Sequence, residues 1–70
     1  MAESLDVFVV VERTNMIWIG SECTDDAALH LIRNYGLKQP GLFLVCSQKS
    51  EQRSLYIRRT SRHYSRRVIS

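Results

Sequence analysis

The 70-residue sequence is short of the residues that punctuate or cross-link small domains: three glycines, one proline and two cysteines. The glycines, Gly20, Gly36 and Gly41, fall at expected turns or strand ends, which excludes a glycine-rich phosphate loop. Two cysteines are too few for a disulfide framework. Cys46 follows an apolar run, Leu42 to Val45, where a reduced thiol behaves as a small hydrophobe and is expected in the core. The spacings Cys23-x6-His30 and Cys46-x16-His63 match no common zinc finger, so neither metal nor cofactor is expected. Long apolar runs are also missing. The longest, Val7 to Val11, is far too short to span a bilayer. The chain opens Met1-Ala2-Glu3-Ser4, with no basic-then-apolar leader. A reducing, cytoplasmic setting with no membrane partner is the expectation.

Catalytic constellations are lacking too. Asp25 and Asp26 are adjacent, so their side chains diverge around a helix and serve its dipole rather than form a dyad. His30 lies four residues after Asp26, the spacing of a surface pair. No Cys–His nucleophile pair is supported. The expectation is a protein that binds rather than catalyses.

What is present is a hydrophobic share of 44%, ample for one folded domain and against global disorder. A chain of this size buries a modest core and gains from a partner subunit. Leu5 to Arg13 and Met16 to Ser21 are rich in β-branched and aromatic residues and read as a hairpin pair of strands broken at Thr14-Asn15. Thr24 is a good N-cap for a helix over about Asp25 to Tyr35, with Ala28, Leu31, Ile32 and Tyr35 on one face and Leu29 beside them. Gly36 is the expected left-handed C-cap, and Pro40-Gly41 prevents continuation. Leu42 to Ser47 reads as a third strand. Ser54 to Arg59 reads as a fourth, with Leu55 and Ile57 inward and Tyr56 and Arg58 outward. The expected fold is α+β: ββαββ over residues 1–59, a small antiparallel sheet with one helix on one face. Residues 60–70 follow as a basic C-terminal tail, a short helix or an extended arm.

One helix covers one face of a sheet, and the strands should then alternate apolar with polar. Three of the four do not. Val7, Val9 and Val11 oppose Phe8 and Val10. Ile17 and Ile19 oppose Met16 and Trp18. Leu42, Leu44 and Cys46 oppose Phe43 and Val45. A second apolar face therefore remains, around Phe8, Val10, Trp18, Phe43 and Val45 or the mirror set. It is closed either by the C-terminal segment folding back, with Tyr64, Val68 and Ile69, or by a second molecule, identical or not.

Charge is divided along the chain. Residues 1–26 carry six acids and one base, net −5; residues 27–70 carry nine bases and one acid, net +8. Such a dipole suits a partner of patterned charge or head-to-tail self-association. Arg53, Arg58, Arg59, Arg62, Arg66 and Arg67, interleaved with Tyr56, His63 and Tyr64, suit nucleic acid or an acidic protein surface.

The stretch Met16 to Val45 runs strand, a helix opened by Thr-Asp-Asp-Ala-Ala, then Gly, Pro-Gly and a strand. In architecture it resembles small phage-encoded inhibitors of host machinery, including anti-CRISPR proteins and host-polymerase inhibitors. That resemblance implies a non-enzymatic inhibitor or adaptor in the host cytoplasm, docked on a host protein or ribonucleoprotein complex. The hairpin leading into one helix is also similar to the ubiquitin-like β-grasp and its Ras-association modules, which implies an interaction module.

Overall fold

Six elements follow one another in the computed structural model, which describes residues 4–11, 15–37, 41–60 and 63–69. They are β1 (Leu5–Val10), β2 (Met16–Glu22), α1 (Asp25–Gly36), β3 (Leu42–Ser47), β4 (Arg53–Arg58) and β5 (Tyr64–Val68). The strands form one antiparallel sheet in the order β2-β1-β3-β4-β5. The α+β class and the single helix are as expected. The C-terminal segment, expected outside a ββαββ unit, instead supplies β5, paired with β4 from Ser54↔Val68 to Arg58↔Tyr64. It extends the sheet at its edge and does not fold over the second apolar face. Arg62 lies outside the described residues.

The helix forms where the sequence caps it. Thr24 is extended, and its Oγ1 accepts a hydrogen bond from the Ala27 amide at 3.1 Å. Asp25 and Asp26 occupy the first turn, where the macrodipole favours anions. Ala28 and Ile32 are fully buried, and Leu29, Leu31 and Tyr35 pack beside them. Gly36 is no left-handed cap. It ends the helix proper, and Leu37 closes it in right-handed geometry, φ −63° and ψ −30°. Glycine is needed there for room: a Cβ would collide with the Tyr64 hydroxyl and touch Phe43.

Burial along β1 alternates without exception, with Leu5, Val7 and Val9 inside. They meet Phe43 and Val45 of β3 and Tyr56 of β4 beneath the helix. Val7, Ile32 and Phe43 are fully buried, each contributing about 1.5–3 kcal/mol relative to exposure. Tyr35 and Tyr64 hold the Phe43 ring edge-on at 6.0 and 6.1 Å.

Two expectations about direction are corrected. β4 faces the opposite way: Tyr56, only 5% exposed, points to the helix, while Leu55 and Ile57 point away. Phe43 and Val45 belong to the covered core, not to the second apolar face. The reason is register. With both faces apolar, alternation within a strand does not say which set meets the helix; Phe43↔Tyr56 and Val9↔Phe43 pairing decides it.

Candidate interaction surface

The sheet face away from the helix is built in three rows. Met16, Val10, Leu42, Ile57 and Ser65 form one row across β2, β1, β3, β4 and β5. Trp18, Phe8, Leu44, Leu55 and Arg67 form the next. Ser21, Asp6, Cys46 and Arg53 form the third. The first two rows are apolar across four strands and turn polar only at β5. Leu44, at their centre, is 9% exposed because its neighbours shield it, while Trp18 at the flank is 57% exposed. Nothing in the chain's described residues lies over these rows, since the helix occupies the other face. Of the residues expected here, Phe8, Val10 and Trp18 are in place. Met16, expected on the same side as Trp18, and Leu42 and Leu44, from the mirror set, complete the face together with Leu55 and Ile57, which the sequence reading turns inward.

Cys46 also belongs to this face and is half-buried rather than a core residue. Burial pushes its thiol pKa up, and the Arg53 guanidinium opposes that rise. Asp6 organises the polar row. Its carboxylate accepts from Ser21 Oγ at 2.6 Å, from Gln48 Nε2 at 2.6 Å and, more weakly, from Trp18 Nε1 at 3.4 Å. The Ser21 bond first and the Gln48 bond next hold the carboxyl below its ordinary pKa, against an opposing effect of burial that outweighs the lowering from Trp18. The indole of Trp18 is thereby tied at one edge while most of its surface stays open.

The arginines do not form one basic arm. Arg58 lies on the helix side and donates from a terminal nitrogen to the Gly36 carbonyl at 3.2 Å, satisfying the helix C-terminus. Arg66 also lies on that side, donating to Ser54 Oγ at 3.3 Å and pairing with Asp25 at 3.7 Å. Arg59 donates to Ser65 Oγ at 3.1 Å near the β4–β5 turn. Arg53 and Arg67 sit on the open face. Tyr56 and Tyr64 pack with the core, so neither is an exposed stacking platform; burial pushes the Tyr56 phenol up. His63 is exposed at the strand entrance.

A recess between Leu5, Asp25 and Arg66 holds only about 50 Å³, and the larger depression of about 600 Å³ lined by Cys46, Ser47, Ser50, Glu51 and Arg53 is a shallow, open surface rather than an enclosed cavity. Among the described residues, no three His, Cys, Asp or Glu side chains cluster as metal ligands, and no helix is long and apolar enough to cross a membrane. Compared with protein-family models, curated proteins and solved structures, the chain matches none.

Proposed function

We propose that this chain is a non-enzymatic binding protein, a small adaptor or inhibitor that works by surface contact through the open face of its sheet. The observation that carries the reading is the continuous apolar patch from Met16 and Trp18 to Leu55 and Ile57, opposite the helix. Five strands about 4.8 Å apart and six residues of about 3.3 Å each give a face of roughly 480 Å² in projection, of which the two apolar rows across four strands make up roughly 250 Å². Apolar patches of several hundred Å² on a small domain mark contact sites. An inhibitor of a host complex, as the architectural resemblance implies, is one form such an adaptor takes.

The test is affinity capture compared across variants. Trp18→Ala and Leu55→Arg are expected to lose the proteins that the unaltered chain retains, further copies of itself included. His30→Ala, on the exposed outer side of the helix, is expected to retain them. Equal retention by all three variants refutes the reading.

A second reading has one observation in its favour. Phe8 and Trp18 share a face with Arg53 and Arg67, an arrangement on which bases of single-stranded nucleic acid stack. The six aliphatic and Met side chains around them offer no hydrogen bonds to bases, which favours protein. Binding of an oligonucleotide at low salt, with affinity falling steeply as salt rises, selects the second reading.

A further inference from the structure

Resting on the reading that the open face is a binding surface, we infer that its partner is a second copy of this chain, packed sheet to sheet about a two-fold axis that runs along β3. The argument is the distribution of charge across the sheet. The acidic first part of the chain supplies β1 and β2, and the basic last part supplies β4 and β5, with β3 between them. Among the described strand residues the open face then carries one acid, Asp6 on β1, against two bases, Arg53 on β4 and Arg67 on β5, while Glu22 lies on the helix side and Asp25 and Asp26 on the helix itself.

A two-fold axis along β3 lays β1 of one copy over β4 of the other and β2 over β5. Row by row the face then complements itself. Asp6 lies over the second copy's Arg53, and the reverse contact is made at the same time. Trp18 lies over Arg67, a cation on an aromatic face. Phe8 lies over Leu55 and Val10 over Ile57, while the β3 side chains meet their own equivalents. Isologous contact requires this kind of self-complementarity.

Other two-fold arrangements lose it. An axis across the strands reverses each strand and lays Asp6 over the Val10 end of its counterpart. An axis between β1 and β3 matches apolar side chains well, but it sets Asp6 over Cys46 and Arg53 over Ser21 and leaves β5 outside the contact. Two faces of roughly 480 Å² in projection bury at most about 960 Å² together, in the range of weak, reversible association. An axis along β3 sets the strands of the two copies parallel, within the aligned class of sheet packing, so that each row faces its own counterpart.

The experiment is sedimentation of the full chain over a concentration series, with Asp6→Arg, Arg53→Asp and the double variant. The unaltered chain is expected as a dimer. Each single reversal brings like charges together and is expected to weaken association about ten-fold or more, while the double variant restores opposite charges and recovers most of the loss. Asp6→Arg also removes bonds to Ser21 and Gln48; if it fails to fold, Arg53→Asp alone decides, because a dimer indifferent to that change overturns the proposed axis. As a second readout, Cys46 in a Cys23→Ser chain is expected to react with a thiol reagent more slowly as concentration rises; an unchanged rate in a dimeric sample overturns burial of this face. A monomer at all concentrations overturns the second copy. If that monomer still binds an apolar dye that Trp18→Ala releases, the binding-surface reading stands; if it binds none, both fall.

Discussion

Trp18→Ala separates the binding role proposed for the sheet from its folding role. The indole is 57% exposed, so of about 250 Å² of side-chain surface roughly 140 Å² is open to a partner. Covering that area at about 25 cal/mol per Å² contributes up to about 3.5 kcal/mol, a several-hundred-fold ceiling on the change in dissociation constant that side-chain ordering and desolvation reduce. Within the folded chain the loss is smaller. The buried remainder is roughly 110 Å², part of which the unfolded ensemble also buries, and the bond to Asp6 is long at 3.4 Å. A loss of about 1–2 kcal/mol of folding stability is expected.

Urea unfolding at several protein concentrations reads both quantities. A chain stabilised by a second copy unfolds at a midpoint that rises with its own concentration. Trp18→Ala is expected to abolish that rise while leaving the dilute-sample midpoint only modestly lower. A loss above about 4 kcal/mol in dilute samples, with the concentration dependence intact, refutes the reasoning, because Trp18 would then be a structural residue.

Ile32→Ala probes the opposite face: its side chain is fully buried under the sheet, and its loss should remove about 2–5 kcal/mol in the same unfolding assay. A domain of this size holds roughly 4–10 kcal/mol in all, so this variant should be at the margin of folding. Glu51 adopts φ 57° in the β3–β4 loop, and Glu51→Gly should raise stability by about 0.5 kcal/mol, the relief of left-handed backbone exceeding the added freedom of the unfolded chain; a lower melting temperature contradicts this. Asp6 has a folded-state pKa below its ordinary 3.8, so its stabilising contribution is fully present above about pH 4 and lost as pH falls through the lowered value. Asp6→Asn should flatten the acid limb of the stability curve and leave the slope near neutral pH unchanged, read by thermal melts across the acid range.

The fold was legible where a local rule determines it. Thr24 before two acids, the Ala28–Leu31–Ile32–Tyr35 stripe and the β-branched strands each specify their element without help from the rest of the chain. The two-sided strands also announced a face the helix leaves bare. What was hidden is the relation between strands. Whether Leu44 or Phe43 meets the helix depends on pairing with β1, and Leu5↔Ser47 register is set by side chains forty residues apart. The same gap turned β4 around: Leu55 and Ile57 looked like core because apolar residues are expected inside, whereas the large ring of Tyr56 fills the space beside Phe43. The C-terminal strand was concealed by its charge. Arg66 and Arg67 make it look like a solvated arm, yet an edge strand needs only one neighbour, and Arg66 finds Ser54 and Asp25 across it.

The treatment of the two edges bears on why the face is open. A five-stranded sheet has exposed edges at β2 and β5, and such edges invite pairing with other chains. Both are blunted here. β5 carries Arg66 and Arg67, and β2 is displaced by an irregular register opposite Val7 and Phe8, where the twist of an edge increases. Gly20 beside that irregularity lets Leu31 of the helix approach closely, since a Cβ there would lie 2.7 Å from it. The edge is thus shaped by the core as well as guarded. A chain under no pressure to avoid association would leave edges and face alike unguarded. This one defends its edges with charge and distortion and keeps aliphatic and aromatic side chains across four strands of the open face. Guarded edges beside an apolar open face are the pattern that the proposed association through that face requires.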